Sequence, residues 1–193
     1  ISEGVRQLAE WSGRGIHLQV SLNISADDLI NLDLRERVAQ LLEQYRVDPQ
    51  QLVFEITESA VMQDQSRSLQ VLEDLRRLGI GLSVDDFGTG YSSLSQLKRM
   101  PVQELKIDQS FVRDLDEASE DAVIVRSTID MSHSLGLKVV AEGVEYERSL
   151  RLLERWGCDT VQGYLISRPL SAEAFETWHG QPLNPLLLRE TER

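Results

Sequence analysis

A single cysteine, Cys158, is present in 193 residues. This excludes a disulfide framework and a cysteine-rich zinc site, and it fits a reducing cytoplasm. Positive charge is also scarce: 20 Lys and Arg against 32 Asp and Glu leave a formal net charge of −12. A surface of that sign does not suit a nucleic-acid polymer or an anionic membrane, which are bound by basic patches that release counterions. An anionic substrate would need positive charge from elsewhere, and a metal ion would supply it. The three histidines, His17, His133 and His179, are scattered without the short spacing of a metal-binding pair, and they read as ordinary surface or core residues. No apolar run approaches the length of a membrane span. The opening stretch ISEGVRQLAEWSGRG lacks the basic and then apolar pattern of a signal peptide. It reads as an amphipathic helix with Val5, Leu8 and Trp11 on one stripe, as though entered partway through a domain.

The content is 41% hydrophobic and 27% charged, which suits one globular domain. Six short apolar runs have strand character: HLQVSLNIS, QLVFEITES, GIGLSVDDF, ELKID, LKVVAEGVE and DTVQGYLIS. Helical stretches separate them. Ser25 with Asp28 reads as a capping box that opens a helix carrying Leu34, Val38, Leu41 and Leu42, and Asp48-Pro49 closes that region. Leu69, Leu72, Leu75 and Leu78 form a stripe that stops at Gly79, and later helices stop at Gly136 and Gly157. Each of these glycines is followed at once by a strand, the connection expected where helices cover a parallel sheet. The pattern fits an open doubly wound sheet or a (β/α)8 barrel. No G-x-G-x-x-G and no P-loop follows a strand, which counts against the nucleotide-binding open sheets.

Polar residues gather at the carboxyl ends of these strands: Asn23, Glu55 and Glu58, Asp85 and Asp86, Lys106 and Asp108, Glu142 and Glu145, and Gln162. Each has an ordinary explanation. Asn23 could cap a turn, Glu55 could make a salt bridge at the edge of the core, and Glu58 and Glu145 could each begin a helix. Asp85 and Asp86 could form an acidic turn, although Phe87, Gly88 and Gly90 specify a tight, closely approached loop. In a parallel barrel, however, all the strand ends open on one face. Together these side chains would make an oxygen-only site, which selects Mg²⁺ or Mn²⁺ over zinc. Two adjacent aspartates are tolerable there because cations neutralise them, and paired metals suit displacement at phosphorus.

The segments SLNIS, FEITES, DDFGTGYSSL, LKID, AEGVE and QGY, in this order, closely resemble the EAL-domain family of bacterial cyclic di-GMP phosphodiesterases, from about Trp11 to Leu170. The resemblance implies a TIM-like (β/α)8 barrel with one strand reversed. It also implies Mg²⁺- or Mn²⁺-dependent hydrolysis of cyclic di-GMP to linear pGpG. On that resemblance Asn23, Glu55 and Asp85 match ligands of a first metal, and Asp86 matches a ligand of a second that bridges toward it. Glu142 belongs to the metal and water shell, Gln162 orients the water network, and Glu145 lies close by. Lys106 matches the lysine that positions or activates the attacking water. Glu58 matches the acid that braces the loop after Asp86.

No E-A-L tripeptide occurs in the sequence. In the family its glutamate is a further metal ligand and its neighbouring arginine contacts substrate phosphate. Six strands where the barrel has eight make this an N-terminally incomplete version of the fold. Residues 1–180 are expected to form the C-terminal three quarters of the phosphodiesterase domain, with 181–193 a loose tail. A chain beginning at Ile1 would expose sheet edges and is expected to pair, exchange elements or aggregate. The resemblance further implies a cytoplasmic homodimer beside an upstream sensory or diguanylate cyclase domain. The alternative is a truncated, catalytically inactive binding or protein-interaction module. A metal-free barrel enzyme with paired carboxylates, such as a glycosidase, is a third reading.

Overall fold

Residues 1–88 and 94–182 are described by the computed structural model. The loop beyond Gly88, with Gly90, and nearly all of the 181–193 tail lie outside them. The chain opens with α1 (Ser2–Gly13), whose Val5 and Leu8 are buried as their spacing predicts. Strands and helices then alternate: β1 (Val20–Asn23), α2 (Ala26–Leu29), α3 (Leu34–Tyr45), β2 (Leu52–Thr57), α4 (Glu58–Met62), α5 (Gln65–Arg77) and β3 (Gly81–Phe87). They continue through α6 (Leu94–Leu97), β4 (Glu104–Ile107), α7 (Gln109–Val112), α8 (Glu120–Ser134), β5 (Lys138–Ala141), α9 (Glu147–Arg155), β6 (Thr160–Val161) and α10 (Ala172–His179).

Two elements differ from the sequence expectation. The helix expected to run on from Ser25 is two helices. Ser25 Oγ accepts from Asp28 N–H and caps the short α2, and the polar residues Asn31 and Asp33 turn the chain before α3 begins. The last strand is only two residues long. At Gly163 a Cβ would meet Val144 O at 2.2 Å and Val144 N at 2.3 Å. The chain therefore turns across the loop after β5 instead of extending, and only glycine allows that approach. The glycine stops at 79, 136 and 157 all have positive φ.

The sheet settles the choice between barrel and open sheet. All six strands are parallel and lie in sequence order, β1-β2-β3-β4-β5-β6. A doubly wound sheet reverses direction at a switch point, and this one does not. Because parallel crossovers are right-handed, winding in one direction puts every helix on the same face. The result is half of a barrel wall, and no reversed strand occurs among the described residues.

The helix-covered face carries Leu52, Phe54, Ile56, Leu82, Val84, Leu105, Ile107 and Val139, each at most 1% exposed. They pack with Leu72 and Leu75 of α5 and with Val125 and Ile129 of α8 in one continuous core. Each such side chain contributes about 1.5–3 kcal/mol of burial. The opposite face carries a different set. Register places Asn23 beside Glu55, Glu55 beside Ser83, Ser83 beside Glu104, and Lys106 beside Val140. Alternation along each strand then aligns Asp85 with Ser83 and Glu142 with Val140.

The two ends of the described chain meet where α1 contacts α10. Arg14 Nη1, at the C-cap of α1, donates to both carboxylate oxygens of Glu176 in α10, at 2.7 and 2.6 Å. Trp11 Nε1 donates to the same carboxylate at 3.1 Å, and the Trp11 ring lies 5.1 Å from that of Phe175.

Candidate metal centre

Lys106 is the centre of the polar face. It sits mid-strand in β4 and is 4% exposed, so its ammonium needs partners to be tolerated. It has three: Glu142 at 2.6 Å, Glu55 at 2.8 Å and Asp85 at 3.1 Å. These come from β2, from β3 and from the residue after β5; β3 and β5 pair with β4, and β2 lies next to β3. Burial opposes the charged form of Lys106, but the hydrogen bonds and charges of Glu142 and Glu55 outweigh it, and the ammonium is held well above its ordinary pKa. For Glu142 the balance falls the other way. Its burial comes first, Lys106 offsets that only partly, and the charges of Asp85 and Glu55 add to it, so its pKa is raised. The asymmetry follows from the count: one ammonium sees three carboxylates, whereas each carboxylate sees one ammonium and its like-charged neighbours.

Asp85 and Asp86 share this side of the sheet despite being consecutive. Successive strand residues point to opposite faces, so a regular β3 would send one of them away. The pairing from Val84 to Phe87 on β3 spans only Leu105 to Ile107 on β4, an extra residue of the kind that makes a bulge. Asp86 occupies that irregularity with φ +55°, a left-handed backbone that non-glycine residues seldom adopt. Its N–H donates to Asp85 Oδ1 at 3.1 Å. The turn brings carboxylate oxygens of Asp85, Asp86 and Glu142 within 4.8 Å of one another. Burial raises the pKa of Asp86, with Asp85 and Asp108 adding to it.

The remaining predicted residues stand at or just beyond the ends of the strands. Asn23 ends β1, exposed, in register with Glu55. It also lines a separate pocket of about 410 Å³ with Arg37 and Leu41, which has no comparable group of carboxylates. Glu58 is the first residue of α4, directly after the β2 strand that carries Glu55. Glu145 pairs with Arg113 at 3.1 Å rather than with Lys106. Glu142, Glu145 and Gln162 line a small pocket of about 140 Å³ with Gln109, Arg113 and Tyr164. Gly143, at φ +72°, lies where a Cβ would come within 2.5 Å of Gln109 Cβ, so Glu142 is followed by a position that excludes a side chain. Asp108 is a helix cap: it accepts from Ser110 N–H at 3.0 Å and opens α7.

Two residues on the polar face were not singled out in the sequence. Glu104 precedes Lys106 by two residues and shares its face, and burial raises its pKa. Ser83 stands two before Asp85 and is fully buried. The signal for both was period-two alternation from residues already chosen.

The donor set is chemically suited to a hard divalent cation. Asp85, Asp86 and Glu142 offer oxygen alone, two of them have raised pKa values, and no histidine or cysteine joins them among the described residues.

A family model described as EAL domain matches residues 1–169. The chain is 42% identical over 90% of its length to the bifunctional diguanylate cyclase/cyclic di-GMP phosphodiesterase MucR of Pseudomonas aeruginosa, and covers 25% of that protein. It therefore spans about a quarter of the length of this curated relative. The solved MucR phosphodiesterase in complex with c-di-GMP superposes with a TM-score of 0.83, covering 90% of this chain and 76% of that one. The EAL domain of Mycobacterium smegmatis DcpA, 37% identical, gives 0.87 over 92% and 80% of the two chains. A manganese/cy-diGMP complex of Klebsiella pneumoniae BlrP1, 31% identical, gives 0.79 over 87% and 42%.

Proposed function

Since this chain belongs to the EAL domain family, we propose that its polar half-barrel face is the catalytic surface of a divalent-cation-dependent phosphodiesterase. The proposed reaction is hydrolysis of cyclic di-GMP to linear pGpG: water adds at one phosphorus and one ring P–O bond breaks. The observation that carries this reading is Lys106 held between Glu55, Asp85 and Glu142, with Asp86 turned onto the same rim.

Asp85, Asp86 and Glu142 would hold the cation, with Glu55 and Asn23 completing the set from neighbouring strands. Mg²⁺ or Mn²⁺ bound there would supply Lewis acidity toward a phosphoryl oxygen and toward water. The ammonium of Lys106 would donate to the attacking water or to the phosphoryl group as charge develops there. Gln162, beside Glu142 in the small pocket, would orient that water, and Glu145, held by Arg113, would fix the pocket's outer wall. Glu58 would brace the loop that follows Asp86.

Residues 1–180 are read as the part of the chain that belongs to the domain. The contact of α10 with α1 through Glu176 supports a boundary after that helix. Placement in the cytoplasm, a homodimeric state and an upstream sensory or cyclase domain belong to the same reading. The last of these is supported by MucR, a bifunctional cyclase/phosphodiesterase of which this chain covers 25%. No helix among the described residues is long and apolar enough to cross a membrane.

The test is to incubate the full-length protein with cyclic di-GMP and Mg²⁺ or Mn²⁺ and follow nucleotides by chromatography. Conversion to pGpG that a chelator stops is expected. Tight cyclic di-GMP binding without turnover would establish the inactive binding module instead.

A further inference from the structure

We infer that Lys106 is a built-in counter-ion which a divalent cation must displace, so that this lysine weakens metal binding at the rim it organises. The inference rests on the metal-centre reading above. Of the three carboxylates that approach one another closely enough to share a cation, two are already engaged by the Lys106 ammonium: Asp85 at 3.1 Å and Glu142 at 2.6 Å. Glu55, the third partner, is 8% exposed and also held, at 2.8 Å. A cation and an ammonium cannot both take the same lone pairs, and two positive charges held against the same carboxylates repel each other.

The same geometry explains why the lysine is there. Buried Glu55 and half-buried Asp85 and Glu142, from β2, β3 and the end of β5, would repel one another with nothing between them, and a group withdrawn from water remains charged only with a partner. Lys106 supplies that partner in the metal-free protein. When a cation supplies it, the ammonium is released from Asp85 and Glu142 and can turn to another acceptor on the rim.

The sign of one measurement separates this from a lysine that merely props up the ligands. A prop, once removed, leaves metal binding weaker; a competitor leaves it stronger. Mn²⁺ titration by calorimetry of the full-length protein and of Lys106→Met, which keeps much of the volume without the charge, reads this directly. Lys106→Met is expected to bind Mn²⁺ on the order of 10- to 100-fold more tightly. It should also melt lower than the parent in chelator and gain more from Mn²⁺. Equal or weaker Mn²⁺ binding by the variant overturns the inference and leaves the metal centre intact. A variant that does not fold even when prepared in saturating Mn²⁺ overturns it as well, because the cation would then have failed to replace the ammonium. A parent that binds no Mn²⁺ overturns the metal centre and this inference together.

Discussion

Asp159 and Asp86 are both aspartates at an end of the same sheet, and the fold treats them in opposite ways. Asp159 precedes β6, at the rim where the strands begin. Its Oδ2 accepts from Val139 N–H at 2.8 Å and lies 2.9 Å from His133 Nε2. Burial opposes its ionisation, but these partners outweigh it and hold its pKa below the ordinary value. Asp86 stands where the strands end, on a left-handed backbone, with Asp85 and Asp108 pushing its pKa in the same direction as burial does. One rim has its negative charge answered by the protein. At the other, burial and the like charges of Asp85 and Asp108 outweigh the attraction of the Lys106 ammonium and leave the Asp86 pKa raised.

Substitutions test that contrast. The largest effect is expected for Asp85→Asn, which should reduce cyclic di-GMP turnover by on the order of 10³ or more, since one donor to the cation is lost. Near-parent turnover at low Mg²⁺ would remove Asp85 from the site. Lys106→Ala should slow turnover by about 10² to 10⁴ while cyclic di-GMP still binds, measured by turnover and equilibrium binding side by side. Asp159→Ala should leave turnover near that of the parent and cost about 1 kcal/mol in denaturant unfolding, a modest figure because its side chain is 35% exposed. A large activity loss there would erase the distinction between the rims.

The smallest effects concern pH in the absence of metal. Asp159, shifted down, adds stability that is full above the ordinary aspartate pKa and is lost as pH falls through its folded value. Asp86 and Glu142, shifted up, act in reverse: the folded state binds the extra proton, so their contribution declines as pH rises above the ordinary carboxylate range. Melting in chelator across pH 4 to 8 on the order of single-unit steps should show that decline, and Mn²⁺ should remove it. Asp86→Asn should raise the metal-free melting temperature by about 1–2 °C, and a drop would mean that the interactions of its carboxylate outweigh burial and the charges of Asp85 and Asp108.

How much of this was legible in the sequence depended on whether the information was local. The strand runs, the glycine stops and the Ser25 cap are short-range features, and they placed the elements. The break between α2 and α3 was missed because the apolar period continues across Asn31 and Asp33. Asp85 and Asp86 stood out as neighbours, but alternation alone would separate them. Their convergence depends on the bulge against β4, and pairing with a strand some twenty residues later is not written in either residue. Lys106 could be placed on a strand from ELKID. That it holds carboxylates from β2, β3 and β5 follows from register, a property of the assembled sheet. The Glu176 contact with Trp11 and Arg14 was invisible for the same reason.

That last contact has a kinetic consequence. Arg14 and Glu176 are 162 positions apart, close to the longest span the described chain can offer, so the loop they close has nearly the greatest entropic cost available to it. As the polypeptide leaves the ribosome, Trp11 and Arg14 must wait for all six strands to emerge before Glu176 arrives. The α1 helix therefore spends synthesis without its α10 partner, with its Trp11 ring open to solvent or to a chaperone. A protease drawing the chain in from its C-terminal side would pull this joint apart before it reached any of the six strands.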